Sequence, residues 1–458
     1  MHDDREVTEL DLLIIGAGTG NTILGPDFDD WRVGIVERDL FGGTCMNRGC
    51  IPTKMLVYTA DLAHQAGDLG RFGIDAEVHG VRWADVVDRV FDRIDPIAPA
   101  GEEYREGQSN VTVIRGDGRF VADKTIEVDG VHYRADQIVL AAGARPDMPL
   151  IPGLDTVPFE TSDTIMRRRE LPEHLTVIGC AYVASELAHV FGALGSRITL
   201  VNRSGQLLRH EDEAVSQRFT ECVQRRFEVL LDTDIERVRG VDGDITVDVT
   251  DGHGRRSLEG DALLVATGRI PNGDELQVVK TGITLDGAGY VPTDEFYRTE
   301  VEGIWALGDI TTPLQLKHLA NAQGRVVAHN LVHPHDLRPM RATHVPHAVF
   351  THPQVASVGI TEQVLRVAGR DYITATQAYG DVAYGWAMEE TDGFAKLIAD
   401  PDSRLLLGAH IIGPHAATLI QQLIQGMELS TTVDQMAHDQ LYIHPALGEL
   451  LENALLQL

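Results

Sequence analysis

One local design occurs twice in this chain, 163 positions apart, and it restricts the fold more than any other feature. A short, almost wholly apolar strand runs straight into a glycine-led turn. The first copy is Leu10 to Ile15 followed by Gly16-Ala17-Gly18-Thr19-Gly20-Asn21. The second is Leu175 to Ile178 followed by Gly179-Cys180-Ala181-Tyr182-Val183-Ala184. An apolar run without alternation suits a strand covered on both faces, as in a parallel sheet. The first glycine allows a tight turn, and a second lets the backbone approach a pyrophosphate. A helix starting there aims unpaired N–H groups at the anion. A further strand follows each copy, Val33 to Val36 and Arg197 to Val201. The chain is therefore expected to hold two strand–turn–helix–strand units of dinucleotide-binding type.

Two other segments echo each other. Ile138 to Leu140, then Ala141-Ala142-Gly143-Ala144-Arg145-Pro146, resembles Leu263 to Val265, then Ala266-Thr267-Gly268-Arg269-Ile270-Pro271. Each is an apolar strand closed by a glycine and a proline, where a chain would pass between domains. The second nucleotide unit is thus expected as an insertion in the first. From about Arg341 onward, strand-like runs (Ala348 to Phe350, Phe394 to Ile398) alternate with helical ones (Ala416 to Met427, Thr432 to Ala437), an α+β pattern. The expected fold is α/β, with two Rossmann-like domains and a C-terminal α+β domain. The expected boundaries are 1–150 and 270–340 for the two parts of the first nucleotide domain, 151–269 for the second, and 341–458 for the terminal domain.

Charge narrows the partners. The 39 Lys and Arg against 69 Asp and Glu give a net charge of −30, which excludes nucleic acid and anionic membrane as natural partners. No apolar run approaches the roughly 20 residues needed to cross a bilayer. Met1-His2-Asp3-Asp4-Arg5-Glu6 is polar and acidic, unlike a targeting peptide, so a cytoplasmic protein is expected. The four cysteines, Cys45, Cys50, Cys180 and Cys222, make no disulfide scaffold and no paired zinc ligand set, and no metal is expected.

Within the first unit, Gly16 and Gly18 stand at the turn, and Glu37 closes the next strand about 20 residues on. A carboxylate there can accept both hydroxyls of a ribose. In the second unit the middle glycine is replaced by Ala181, and Asn202-Arg203 stands where an acid would bind a free ribose diol. Arg203 and Arg209 can instead neutralise a 2′-phosphate, which favours NADPH over NADH.

The densest motif is Gly42-Gly43-Thr44-Cys45-Met46-Asn47-Arg48-Gly49-Cys50-Ile51-Pro52-Thr53-Lys54. Five steps of extended chain would hold the two sulfurs' backbones roughly 17 Å apart, so any approach requires the segment to coil. Pro52 suits the first position of a helix, expected over Thr53 to Gln65. The positive end of that helix, together with Lys54, is expected to lower a nearby thiol pKa. On residues alone the pair is a redox couple, two free thiols or half of a metal site.

Taken whole, the motif resembles the redox-disulfide signature of the flavoprotein disulfide reductases, the family of glutathione reductase and dihydrolipoamide dehydrogenase. Two later segments share the resemblance: Gly303-Ile304-Trp305-Ala306-Leu307-Gly308-Asp309 and His444-Pro445-Ala446-Leu447-Gly448-Glu449. Further runs, among them Val81-Arg82-Trp83 and Tyr379 to Glu389, resemble a branch acting on low-molecular-weight disulfides. The resemblance implies FAD and NADPH as cofactors and a Cys45–Cys50 disulfide as the electron relay. It implies cofactor contacts at Gly16, Gly18, Glu37, Thr44, Lys54, Gly143, Asp309, Gly179, Tyr182, Arg203, Arg209 and Gly268. Cys50 would face the flavin and Cys45 would attack the substrate. His444, held by Glu449, would be the acid–base, supplied across a homodimer whose terminal domain serves dimerisation. Lys54 and Glu186 would form an ion pair beside the flavin, and Tyr182 would cover the nicotinamide pocket. The departures are Met46-Asn47-Arg48 within the motif and Ala181 in the second turn. A dihydrolipoamide dehydrogenase, disfavoured by Asn202, and a non-catalytic flavin-nucleotide binder are the rival readings.

Overall fold

The structure, a computed structural model, describes residues 7–458. The acidic N-terminal segment Met1 to Glu6 lies outside the described residues. Two units of tertiary structure are present. The first comprises residues up to 52, 85–147 and 268–341; the second comprises 53–84, 148–267 and 342–458.

In the first unit the strand Val7–Ile15 lies between Val33–Glu37 and Val131–Leu140, parallel to both, with Ile14 opposite Ile35 on one side and Val139 on the other. Leu12, Leu13 and Ile14 are fully buried in succession, which is why this strand shows no alternation. Val111–Arg115 extends the sheet beyond Val33–Glu37, and Ile304–Ala306 pairs in parallel with Val131–Leu140. The hairpin Arg119–Ala122 and Thr125–Val128 completes it. Ala144–Pro146 and Arg269–Pro271 form a two-stranded antiparallel ribbon. The chain thus leaves this unit after residue 147 and returns to it at residue 268 beside one ribbon.

The helix expected after the first glycine turn does not form. Gly20–Ile23 is a single 3-10 turn, Leu24 is extended, and Pro26–Phe28 is a second short turn. Pro26 lacks an N–H and disfavours helical backbone at Gly25, so a helix begun at Gly20 cannot continue. Asn21 is held instead by the buried Arg105, which donates to its side-chain oxygen at 2.6 Å and its carbonyl at 2.7 Å.

In the second unit, Glu228–Leu230, Arg197–Val201, His174–Ile178 and Ala262–Val265 form a parallel sheet in that order. Here the glycine turn does open a helix, Tyr182–Ala193, apolar on nearly every side and buried accordingly. A three-stranded antiparallel sheet runs from Asp234 to Gly260. The terminal segment builds a five-stranded antiparallel sheet from His347–Val349, Val355–Gly359, Leu406–Ile412, Phe394–Ala399 and Ile373–Ala378. Helices Ala416–Glu428 and Gly448–Leu456 pack on it through Ile420, Leu423, Leu450, Leu451 and Ala454. Burying each such leucine or isoleucine contributes about 1.5–3 kcal/mol. Among the described residues no helix is long and apolar enough to cross a membrane.

Candidate active site

The cysteine motif folds as a tight double turn. Gly43–Asn47 is a short helix and Cys50–Asp68 a long one, so the second helix begins at Cys50 rather than at the expected Thr53. Pro52 is its third residue, within the first turn whose N–H groups have no intrahelical partner, and costs the helix nothing there. The side-chain amide of Asn47 donates to the carbonyls of Phe41 at 2.9 Å and Gly43 at 3.1 Å, tying the turn beneath Cys45. Arg48 turns outward to pair with Asp39, so its charge is met by a carboxylate.

Cys45 and Cys50 are both thiols, and their side chains hydrogen-bond each other. That bond, with burial behind it, pushes the Cys45 thiol well above its ordinary pKa. The lowered pKa expected at this helix start therefore does not extend to Cys45, because it holds its proton against the sulfur of Cys50. Two sulfurs this close carry one negative charge far more readily than two.

The turn at Gly16 to Gly18 packs directly on this motif. Gly16 has φ +106°, and a Cβ there would lie 2.4 Å from the Ala141 carbonyl oxygen. Gly43 has φ +64°, and a Cβ there would lie 2.8 Å from the Gly18 Cα. Glu37 is buried; its carboxylate accepts the N–H of Ala17 at 2.7 Å and that of Asp39 at 2.8 Å, leaving one lone pair on each oxygen for a ligand hydroxyl. Thr44 is half-buried, and its hydroxyl makes no hydrogen bond among the described residues. Asp309 is more telling. It sits in the turn Gly308–Ile310, burial raises its carboxyl pKa against the pull of Arg269 and Lys317, and it makes no hydrogen bond among the described residues. An unpartnered, desolvated carboxyl requires a donor, and a polyol hydroxyl would supply one. A glycine cradle with no room for a Cβ, a ribose-type carboxylate and this open carboxyl fit a flavin dinucleotide. Gly143 (φ +67°) and Gly268 (φ +145°) flank the ribbon strands, where Asn272 and Asp147 donate their N–H groups to the carbonyls of Gly143 and Gly268.

The second turn repeats the first, since a Cβ on Gly179 (φ +132°) would lie 2.2 Å from the Ala266 carbonyl oxygen. Ala181, the substituted position, is exposed and extended (φ −91°), a conformation open to any residue. Asn202 is buried and its amide donates to Ser204 and to the Gln206 carbonyl, so it shapes the loop rather than facing it. Arg203 and Arg209 are both exposed on that loop, and Arg203 has no hydrogen bond or ion pair among the described residues. Their field reaches the Cys180 sulfur in the glycine turn.

Lys54 Nζ meets Glu186 Oε2 at 2.5 Å and lies 4.8 Å from the centre of the Phe350 ring, whose own backbone N–H donates to Glu186 Oε1 at 2.9 Å. His444 Nδ1 pairs with Glu449 Oε1 at 2.6 Å, which leaves Nε2 of an imidazole 69% exposed. Beside it Leu441 is fully exposed and Ile443 is 78% exposed. Sequence reasoning missed Glu211, a carboxylate only 1% exposed that gathers Tyr182, His347 and Ser357. Only an unexplained acid in the run Arg209-His210-Glu211-Asp212 marked it.

Comparison with known proteins agrees with this geometry. The family profile described as pyridine nucleotide-disulphide oxidoreductase matches residues 10–324, and the profile for its dimerisation domain matches 345–455. The chain is 46% identical to the mycothione reductase of Mycobacterium tuberculosis over 462 residues, 98% of this chain and 99% of that protein. It is 31% identical to the mercuric reductase of Lysinibacillus sphaericus over 432 residues, 93% and 78% of the two chains. Among solved structures, the HOCl-induced flavoprotein disulfide reductase RclA from Escherichia coli superposes with a TM-score of 0.85 at 26% identity, covering 97% of this chain and 99% of that one.

Proposed function

The chain belongs to the pyridine nucleotide-disulphide oxidoreductase family, and from that premise we propose that it is an NADPH-dependent reductase of mycothione. It is an NAD(P)H-dependent flavoprotein disulfide reductase. Mycothione as the substrate is carried by one observation, the 46% identity spread over 98% of the chain. NADPH over NADH is supported by the two exposed cations Arg203 and Arg209 and by the buried, loop-shaping Asn202 where an acid would repel a 2′-phosphate. The domain reading accompanies it: 1–150 and 270–340 for FAD, 151–269 for NADPH, 341–458 for the dimer. A cytoplasmic location fits a pair of thiols that must cycle.

When bound, FAD and NADPH supply the electron pair that opens the Cys45–Cys50 disulfide. In the resulting dithiol the hydrogen bond between the sulfurs keeps one proton in the pair, while the start of the helix Cys50–Asp68 favours the charge on Cys50. Loss of its proton to His444 turns Cys45 into the attacking thiolate. It displaces one thiolate from the external disulfide and forms a mixed disulfide. His444, its Nδ1 fixed by Glu449, returns the proton to that leaving sulfur. Cys50 then attacks Cys45, releases the second thiolate and restores the Cys45–Cys50 bond. The family's dimerisation profile and the exposed Leu441 and Ile443 support a homodimer in which each His444 serves the other chain's cysteines.

Anaerobic reduction with NADPH, followed by separate additions of mycothione, oxidised glutathione and lipoamide, tests this reading. A long-wavelength thiolate-to-flavin band should appear at two-electron reduction, and mycothione should discharge it fastest. Faster discharge by lipoamide, or preferential reduction by NADH, would overturn the assignment.

A further inference from the structure

Tyr182 is the first residue of the helix that opens directly from the second glycine turn. Its hydroxyl donates to Glu211 Oε1 at 3.0 Å, and its ring stacks on His347, with centroids 5.4 Å apart and planes 23° from parallel. His347 Nε2 meets the same Oε1 at 2.7 Å, and Ser357 donates to Oε2 at 2.6 Å. The loop carrying Glu211 is stitched to the turn by the Leu208 N–H, which donates to the Cys180 carbonyl at 3.0 Å. From the other side Gln363 donates to the Glu211 carbonyl at 2.7 Å. A buried carboxylate, anchored independently of Tyr182, thus holds the one polar atom of that ring.

We propose that Glu211 is a positioning residue that latches Tyr182 closed, so that admission of the pyridine nucleotide requires breaking the Tyr182–Glu211 hydrogen bond. The inference rests on the reading that Tyr182 covers the nicotinamide pocket. When the ring swings away, Glu211 keeps the donors of His347 and Ser357, so opening leaves no orphaned buried charge. The latch therefore costs about one hydrogen bond to a charged group and a ring stack, which keeps the closed state dominant and the open state reachable. An affinity measured against such a closed state is weakened by the fraction that is open.

The test is equilibrium titration of the oxidised holoenzyme with NADP+, with stopped-flow association rates and steady-state kinetics in NADPH. Tyr182→Phe keeps the ring and removes only the latch. It should lower the NADP+ dissociation constant and the NADPH KM by about tenfold or more. Glu211→Gln, which keeps an acceptor but not the charge, should move both in the same direction by less. Tyr182→Ala removes the cover itself. If Tyr182→Ala speeds association while Tyr182→Phe matches the native protein, the ring covers the pocket without a latch, and the proposal fails. If neither changes binding, the covering role itself is wrong, and the proposal falls with it.

Discussion

Replacing His64 and His352 should flatten the protein's loss of stability between pH 7 and pH 5. The two imidazoles lie with ring centres 4.0 Å apart in the second unit. Burial, with Arg226 and His189 beside it, pushes His64 down to about 4, and burial with His64 and Arg226 pushes His352 down to about 3. Arg226 donates to the His352 carbonyl at 2.9 Å and meets His189 Nδ1 at 3.1 Å, while His189 Nε2 meets Asp61 at 2.8 Å. Asp68 and Arg71 add weaker fields. A folded pKa below the unfolded 6.5 means that the unfolded chain takes up protons the folded one refuses. The associated stability is complete above pH 6.5 and falls as acid is added, down to the folded values. At about 1.36 kcal/mol per pH unit, each histidine forfeits about 2 kcal/mol by pH 5, and the pair about 4 kcal/mol. Glu211, Asp212 and Glu362 have carboxyl pKa values below their ordinary 4.5, 3.8 and 4.5, so their contributions persist above that range and are lost only in stronger acid. The window from pH 7 to 5 therefore reports on histidines, and His174, His189 and His410, whose pKa values burial also lowers, keep their own share of the slope in the double variant. Denaturant unfolding of the holoprotein at both pH values, compared with His64→Gln, His352→Gln and the double variant, measures the effect. An unaltered pH difference in the double variant would refute the reasoning.

Three further outcomes are expected. Lys396, almost fully buried, meets Asp212 at 2.7 Å and Glu362 at 2.5 Å, so Lys396→Met should leave two facing carboxylates and cost about 3–5 kcal/mol in denaturant unfolding. Arg203→Ala with Arg209→Ala should raise the NADPH KM by about tenfold or more and leave that for NADH nearly unchanged, as read by initial rates. Gly43→Ala should cost about 1–2 kcal/mol from its left-handed backbone alone. It should also lower the flavin-to-protein ratio of the purified enzyme, because its Cβ meets Gly18.

Local patterns made much of this legible. The two glycine turns announced themselves through apolar runs and positive-φ positions. The family resemblance implies the pairing of Lys54 with Glu186, and the structure brings them into contact. What stayed hidden depended on partners distant in sequence or on small breaks of rule. Pro26 cancelled a helix that the glycine pattern promised. Arg48 stands in the sequence only as a departure from the motif, and the motif does not show that Asp39, nine residues back, neutralises it. Glu211 meets Ser357 across 146 positions, a pairing no local spacing encodes. Asn202 read as a missing acid, whereas its amide is spent on shaping the loop that carries Arg203.

If each His444 serves the other chain's cysteines as proposed, the exposed His444 imidazole beside an uncovered apolar shoulder should make specific activity a function of concentration. Diluted far enough, chains separate and each keeps its sulfurs but loses its proton donor, so turnover per chain should fall. Complementation reads the same feature from the opposite direction. Chains carrying Cys45→Ser and chains carrying His444→Ala should each be inactive alone, yet a reassorted mixture should regain one working centre in every hybrid pair.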